Sequence, residues 1–425
     1  MFVVLRGGIA SKFASTVVSK ELCKILPQKN VIKIQAAGLT RAAFRDENEV
    51  PLIKPFPYHE KPYSVMNMLL DTHKCRVHKH SKIIVIDGPP ASGKNELAKQ
   101  LAKEFDFLYL PQPNFDDLLV THWGFDARTL DHKLPKSVQS WDIERFLQNP
   151  TDINTAAMQN YMLMMRQDRW MWALGHLFCT GQGVVTVRSP WTDQVFAKAM
   201  AQNKFISAGA LEAHTDLCLA SLHFYLKPHL IIYLDVPVEK TLQNIKNRGR
   251  KEEQNSPVIT EKYLSNLEEN YKRDYLSKIS EHSLMLIYDW SQGGDTEVVV
   301  EDIENLNFDD YDELDVKLQD WRFPGGWIWK VHTKHYTYDR DQYLHNMDIM
   351  RTDVPEICAS GNDIEVWDDV WAEVKDSEYD PKFHPHKGDS IKDIMMRTRP
   401  YLRPDHVTPL MKKYYERKAR LDGKK

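Results

Sequence analysis

The residues with the clearest chemical purpose lie in K-I-I-V-I-D-G-P-P-A-S-G-K-N-E-L-A-K-Q-L, residues 82–101. Gly88, Gly93 and Lys94 match the spacing G-x-x-x-x-G-K. In that geometry backbone N–H groups and a helix N-terminus cradle phosphate oxygens, while the lysine reaches the outer phosphates. A β-branched run before the loop and an amphipathic segment after it supply the strand and helix the loop requires. Without a ligand, the same letters read as a plain strand–helix turn. The next position is Asn95, where a working phosphate loop carries a Ser or Thr hydroxyl on Mg²⁺. An amide there weakens metal binding.

A second cluster, His73, Cys75, His78 and His80, invites comparison with a zinc site. Interleaved Lys74, Arg76 and Lys79 repel a dication, and the spacing leaves no two opposed ligand pairs, so no metal is expected. The five cysteines, at 23, 75, 179, 218 and 358, form no C-x-x-C pair and read as free thiols in a reducing compartment. Nothing has the spacing of an iron–sulfur site.

These residues must be positioned by a scaffold, and its elements are legible as apolar runs. Ile83–Ile86, Phe107–Leu110, Val184–Val187, Leu230–Asp235 and Leu284–Tyr288 alternate with helix-length amphipathic segments, the pattern of parallel strands covered on both faces by crossover helices. The predicted fold is α/β, a doubly wound five-stranded parallel sheet. A long helix over about 154–179 is apolar on more than one face and belongs in the middle of the packing. Its methionines, Met158, Met162, Met164 and Met165, read as core fillers.

The chain has 425 residues and a net charge of −4, which gives no reason to expect a nucleic-acid partner. No apolar run approaches a membrane span. Residues 1–45 hold eight basic side chains against the single acid Glu21. With few acids, many Ser and Ala, and an amphipathic face, they read as a mitochondrial transit peptide. Residues 46–80 read as an extended arm and 81–320 as the phosphate-loop domain. Residues 321–425 form an aromatic extension carrying Trp321, Trp327, Trp329, Trp367 and Trp371. A segment this aromatic lies against something: its own core or a partner. The basic end, with Lys412, Lys413, Arg417, Lys418, Arg420, Lys424 and Lys425, reads as a solvated terminus, with an acidic neighbour or anionic headgroups as the alternative.

Over about residues 81–306 the order of motifs resembles the deoxyribonucleoside kinase fold. The matching pieces are the phosphate loop, Gln159 in A-M-Q-N-Y, Arg188 and Ser189 in V-R-S-P-W-T-D, and R-G-R-K-E-E at 248–253. The resemblance implies that Gln159 reads a nucleobase, that Arg188 sits near the transferred phosphate, and that Arg248, Arg250, Glu252 and Glu253 belong to a lid. Two further positions depart from the family. Its general base, a Glu before Pro after the second strand, is here Gln112 in L-P-Q-P, and its acid before Arg-Ser is Val187. An amide cannot accept a proton, and losing a positioned base costs about 10²–10⁴ in rate; Asp116 and Asp117 would have to reach across a turn to replace it. The resemblance with its departures implies a pseudo-kinase, without catalytic residues or metal site, that keeps the shape of a nucleotide pocket.

Over nearly the whole chain, including K-P-Y-S-V, L-I-Y-D-W-S-Q-G-G-D-T-E-V-V-V-E-D-I-E and L-Q-D-W-R-F-P, the sequence resembles the nucleoside-kinase-like accessory subunits of mitochondrial respiratory complex I. That resemblance implies a non-redox component on the matrix side of the inner membrane. Its partners would be other subunits of the complex, with a nucleoside or nucleotide as ligand and no required cofactor. Flavin (FAD) has been associated with the family, but no G-x-G-x-x-G occurs here. The alternative is an active mitochondrial deoxynucleoside kinase using ATP and Mg²⁺.

Overall fold

Five short segments rich in Val, Ile and Leu pair into one parallel sheet: β1 Ile83–Asp87, β2 Leu108–Leu110, β3 Val184–Val187, β4 Leu230–Asp235 and β5 Leu284–Asp289. In this computed structural model the strand order is β2-β3-β1-β4-β5, with Ile86 opposite Val187 and Ile232. The structure describes residues 38–46, 50–61, 63–73, 75–121, 124–309, 314–323, 325–340, 342, 351–374 and 406–423. The strands fall where the apolar runs place them. Phe107 precedes β2, and its ring lies over Gly183, where an added Cβ would come within 2.5 Å of it.

β1, β3 and most of β4 are buried throughout, as strands sandwiched between helical layers must be. On one face lie the phosphate-loop helix, Lys94–Glu104, and the helix Thr296–Asn305, through Leu97, Leu101, Val300 and Ile303. The central helix, Thr155–Thr180, covers the other, with Met158, Met162, Met165, Trp170 and Leu174 in the core. It ends at Gly181, φ +77°, where a Cβ would meet the Arg76 carbonyl at 2.3 Å.

The outer side of this helix is covered by both chain extensions. From the arm, Tyr58 bonds His176 and accepts from the Trp172 indole N–H. Tyr63 is fully buried and donates to Asp71, which pairs with Arg76 at 2.8 Å. From the C-terminal side, the helix Gly326–His335 places Trp329, His332 and Tyr336 around Phe178, with ring centroids 5.5–5.9 Å away. Trp321 stacks on His229 at 3.8 Å and donates to the Lys227 carbonyl. Val370 and Trp371, from the helix Gly361–Glu373, pack on Leu130 and Leu134. The choice left open for the aromatic extension is thus divided: Trp321, Trp329 and Trp371 pack on the chain's own core. Trp327 and Trp367 stay open to solvent, at 54% and 37% exposed.

Residues 38–45, read with the basic head as part of a transit peptide over 1–45, are built into the body. Leu39 is buried beside Ile303 and Phe308. The Arg41 backbone and guanidinium both donate to Glu304 at 3.0 Å, and Arg41 also pairs with Glu297. Arg45 donates to the Phe105 carbonyl at 3.0 Å. The transit-peptide reading of residues 1–37 lies outside the described residues, as do Cys23, Lys74, Lys424 and Lys425. The basic end forms the helix Thr408–Asp422, with no fully buried residue. No helix among the described residues is long and apolar enough to cross a membrane.

Two predictions follow from this packing. Removing residues 1–37 will leave the thermal transition in place, whereas removing 1–45, or substituting Leu39→Ala, will lower stability, the substitution by about 2–4 kcal/mol in denaturant titrations. His176 and His214, whose pKa values burial pushes down to about 4, are neutral in the fold and take up a proton near 6.5 once unfolded. Their contribution is present in full above pH 6.5 and lost as pH falls towards 4, on the order of 3 kcal/mol each. Denaturant midpoints measured from pH 7.5 to 4.5 will drop accordingly.

Candidate nucleotide site

The carboxyl edge of the sheet gathers the chemistry. After β1 the chain turns at Gly88, φ +148°, where a Cβ would lie 2.7 Å from the Leu234 carbonyl, and enters the helix at Gly93, φ +82°. Only glycine meets both demands. Lys94 folds back into the loop, buried, and donates to the Pro89 carbonyl and to Ser92 Oγ at 3.1 Å. Burial, then Arg188, holds its pKa well below the usual lysine value, against the opposing pull of Asp87.

Asp87, the last residue of β1, is fully buried and accepts hydrogen bonds from Tyr275 at 2.8 Å and Thr192 at 3.1 Å. Burial raises its pKa despite these donors. It was visible as an acid ending an apolar strand, but was not singled out among the site residues.

Arg188 follows β3 in the left-handed region, φ +63°, a conformation costing on the order of 1 kcal/mol for a side-chain-bearing residue. Its guanidinium donates to Gln112 Oε1 at 3.1 Å and lies 4.5 Å from the Phe196 ring centroid. An amide therefore occupies the position where the family resemblance puts the base. The neighbouring carboxylates are engaged elsewhere: Asp116 pairs with Arg128 at 2.8 Å and Asp117 with Arg169 at 2.9 Å.

The residues expected around Mg²⁺ do not fit that ion. Asn95 is exposed in the first helical turn and Val187 is buried in the apolar cluster with Leu97 and Ile86; Asp87, which was not among those expected, is bound to Tyr275 and Thr192. Among the described residues no group of three His, Cys, Asp or Glu side chains could hold a metal, including the His73–His80 cluster. There burial, then Arg45, pushes the His78 pKa down to about 4.

Gln159 sits in a buried polar network. Its amide donates to Asp193 at 2.8 Å, and Arg166 pairs with the other Asp193 oxygen. Burial, then Arg188, lowers the Arg166 pKa to about 9. His214, held neutral by burial and Arg166, lies 3.6 Å from Asp193 and bonds Asn160 at 2.9 Å. Phe196 is flanked by both guanidinium groups, Arg166 at 5.2 Å and Arg188 at 4.5 Å. Arg166 and Asp193 were not singled out from the sequence. The available signals were Arg166 lying two helical turns after Gln159 and Asp193 closing V-R-S-P-W-T-D.

Of the lid residues, Arg248 pairs with Glu253 through Nε at 3.1 Å, and its charge reaches Lys94. Arg250 is exposed and Glu252 half-buried.

A family model for deoxynucleoside kinases matches residues 84–320. Among similar proteins, NADH dehydrogenase (ubiquinone) 1 alpha subcomplex subunit 10, mitochondrial, of Mus musculus is 30% identical over 316 residues, covering 74% of this chain and 84% of the mouse protein. The Rattus norvegicus protein of that name is 34% identical over 244 residues, 57% of this chain and 66% of its own. Deoxyguanosine kinase of Dictyostelium discoideum is 28% identical over 233 residues, 55% and 72%. A solved deoxyadenosine kinase from M. mycoides with bound dATP aligns at 20% identity and a TM-score of 0.39, covering 52% of this chain and 97% of its own.

Because Arg166 and Asp193 are buried together, Arg166→Met will leave an unpaired carboxylate and cost about 3–5 kcal/mol, while Arg166→Met with Asp193→Leu will recover much of the loss. Chemical denaturation of the two variants checks this.

Proposed function

The chain belongs to the deoxynucleoside kinase family, and from that premise we propose that it serves as a non-catalytic accessory subunit of mitochondrial respiratory complex I, NADH:ubiquinone oxidoreductase. One observation carries the assignment: the alignment to the mouse alpha subcomplex subunit covers 74% of this chain and 84% of that protein, whereas the kinase model stops at residue 320. Its partners in this reading are other subunits of the complex, and its compartment is the mitochondrion. We place it on the matrix side of the inner membrane as a peripheral component. The free thiols of Cys75, Cys179, Cys218 and Cys358 agree with a reducing compartment.

The site supports binding without turnover. Phosphoryl transfer rests on positioning, a metal ion and a group that orients the nucleophile. Lys94, Arg188 and the Gln159 network supply positioning. The Gln112 amide, the ion-paired Asp116 and Asp117, and the exposed Asn95 supply neither base nor metal ligand. The reading requires no cofactor, flavin included; a nucleotide would be a resident ligand.

The second reading is an active deoxynucleoside kinase, favoured by retention of Lys94 and Arg188 and by the match to the Dictyostelium enzyme over 72% of its length. Two measurements separate them. On native gels the chain will co-migrate with complex I, and its depletion will lower the amount of assembled complex; migration apart from the complex would overturn the assignment. In a radiolabelled phosphate-transfer assay, purified protein will show no turnover; turnover abolished by Lys94→Ala would establish the kinase reading.

A further inference from the structure

The aromatic extension turns one side of a helix outward, and that side is charged as well as apolar. The helix Gly361–Glu373 holds five acids and no basic residue. Two of the acids serve the chain itself: Asp363 accepts from the Ser137 hydroxyl and Glu373 pairs with Lys133, both at 2.6 Å. Glu365, Asp368 and Asp369 are exposed and make no ion pair among the described residues. Spaced i, i+3 and i+4, they repel one another along the helix, and no cation stands in its last turn, where the dipole favours one. The fold gains nothing from these three charges. Beside them Ile364 and Trp367 are 44% and 37% exposed. The Trp367 ring is nonetheless held in place: it lies 5.5 Å from Trp371, which lies 6.0 Å from Phe125 and packs with Leu130 and Leu134. An aromatic side chain fixed in advance loses little freedom on binding, and Trp is among the types in which interface energy concentrates.

We propose that this face is the docking site for a basic amphipathic segment of a neighbouring subunit of complex I. The segment's lysines or arginines meet Glu365, Asp368 and Asp369, and its apolar side covers Ile364 and Trp367. Charge selects the occupant. An anionic headgroup layer is repelled by the same three carboxylates, and an apolar segment without cations would leave them desolvated and unpaired. A basic segment satisfies them through charge-assisted hydrogen bonds and can lay a guanidinium or ammonium group over the indole. The docking site presupposes membership of the complex, and it gives one neighbour a place on the chain and a chemistry.

The test returns the full chain to cells depleted of it, with native gels and photo-cross-linking as readouts. Trp367→Ala, and the triple variant Glu365→Gln, Asp368→Asn, Asp369→Asn, will each lower the share of the chain migrating with complex I about tenfold. Asp368→Lys with Asp369→Lys will lower it further. Thermal transitions of the purified triple variant will not fall below the parent's, because its exposed carboxylates repel one another in the fold. With a benzoylphenylalanine in place of Trp367, illumination of the assembled complex will attach the chain to another subunit beside a cluster of Lys or Arg. Variants that co-migrate as well as a co-migrating parent would overturn the docking site and leave the complex I assignment standing. So would the absence of a cross-link, or cross-links confined to lipid, to a second copy of this chain or to a segment without basic residues. A parent chain that runs apart from the complex would overturn the assignment itself, and the docking site with it.

Discussion

A helix that is apolar around most of its circumference has to be covered twice, once by the sheet and once from outside. The central helix, Thr155–Thr180, imposes that constraint here. Its inner residues, Trp170 and Leu174 among them, meet the strands. Its outer residues, Trp172, His176 and Phe178, require a further layer, which the arm and the C-terminal extension provide through Tyr58, Trp329 and Tyr336. Gly175 allows the Tyr336 backbone to come close: a Cβ there would lie 3.0 Å from its carbonyl oxygen. The additions beyond the family core are therefore part of the packing.

The same helix connects packing to chemistry. Its first turns carry Gln159 and Arg166 into the space beyond the strand ends, where they meet Asp193. The Gln159–Arg166–Asp193 network is thus anchored in the core, whereas Gln112 lies in the connection after β2, Val187 ends β3 and Asn95 sits in the first turn of the phosphate-loop helix. Gln112 keeps contact with Arg188 in neutral form, and Val187 completes an apolar cluster.

Much of the fold was legible because parallel strands buried on both faces leave dense apolar runs, and Ile83–Ile86, Val184–Val187 and Leu230–Asp235 could be read almost residue by residue. The phosphate loop was legible because its glycines have a geometric reason. Asp193 and Arg166 were harder to see: each is one charged residue in an apolar setting, and only the fold brings them together. Arg41 and Arg45 were grouped with the basic head because charge counting ignores partners; Glu297 and Glu304, far along the chain, give Arg41 its place. Composition marked the aromatic extension as packed against something, but the partition between Trp329, inward, and Trp327, outward, depends on which face of one short helix meets Phe178.

The clasp between Arg41 and Glu304 joins residues 263 positions apart. A chain that emerges or is translocated N-terminus first holds Leu39 and Arg41 ready long before the helix Thr296–Asn305 exists to receive them. Closure of so long a loop adds an entropic cost that grows only as about (3/2)RT ln n, so the delay is set by sequence order and not by energy. Leu39 stays exposed throughout that interval, and the segment seals the domain only after the last strand, β5, has been delivered.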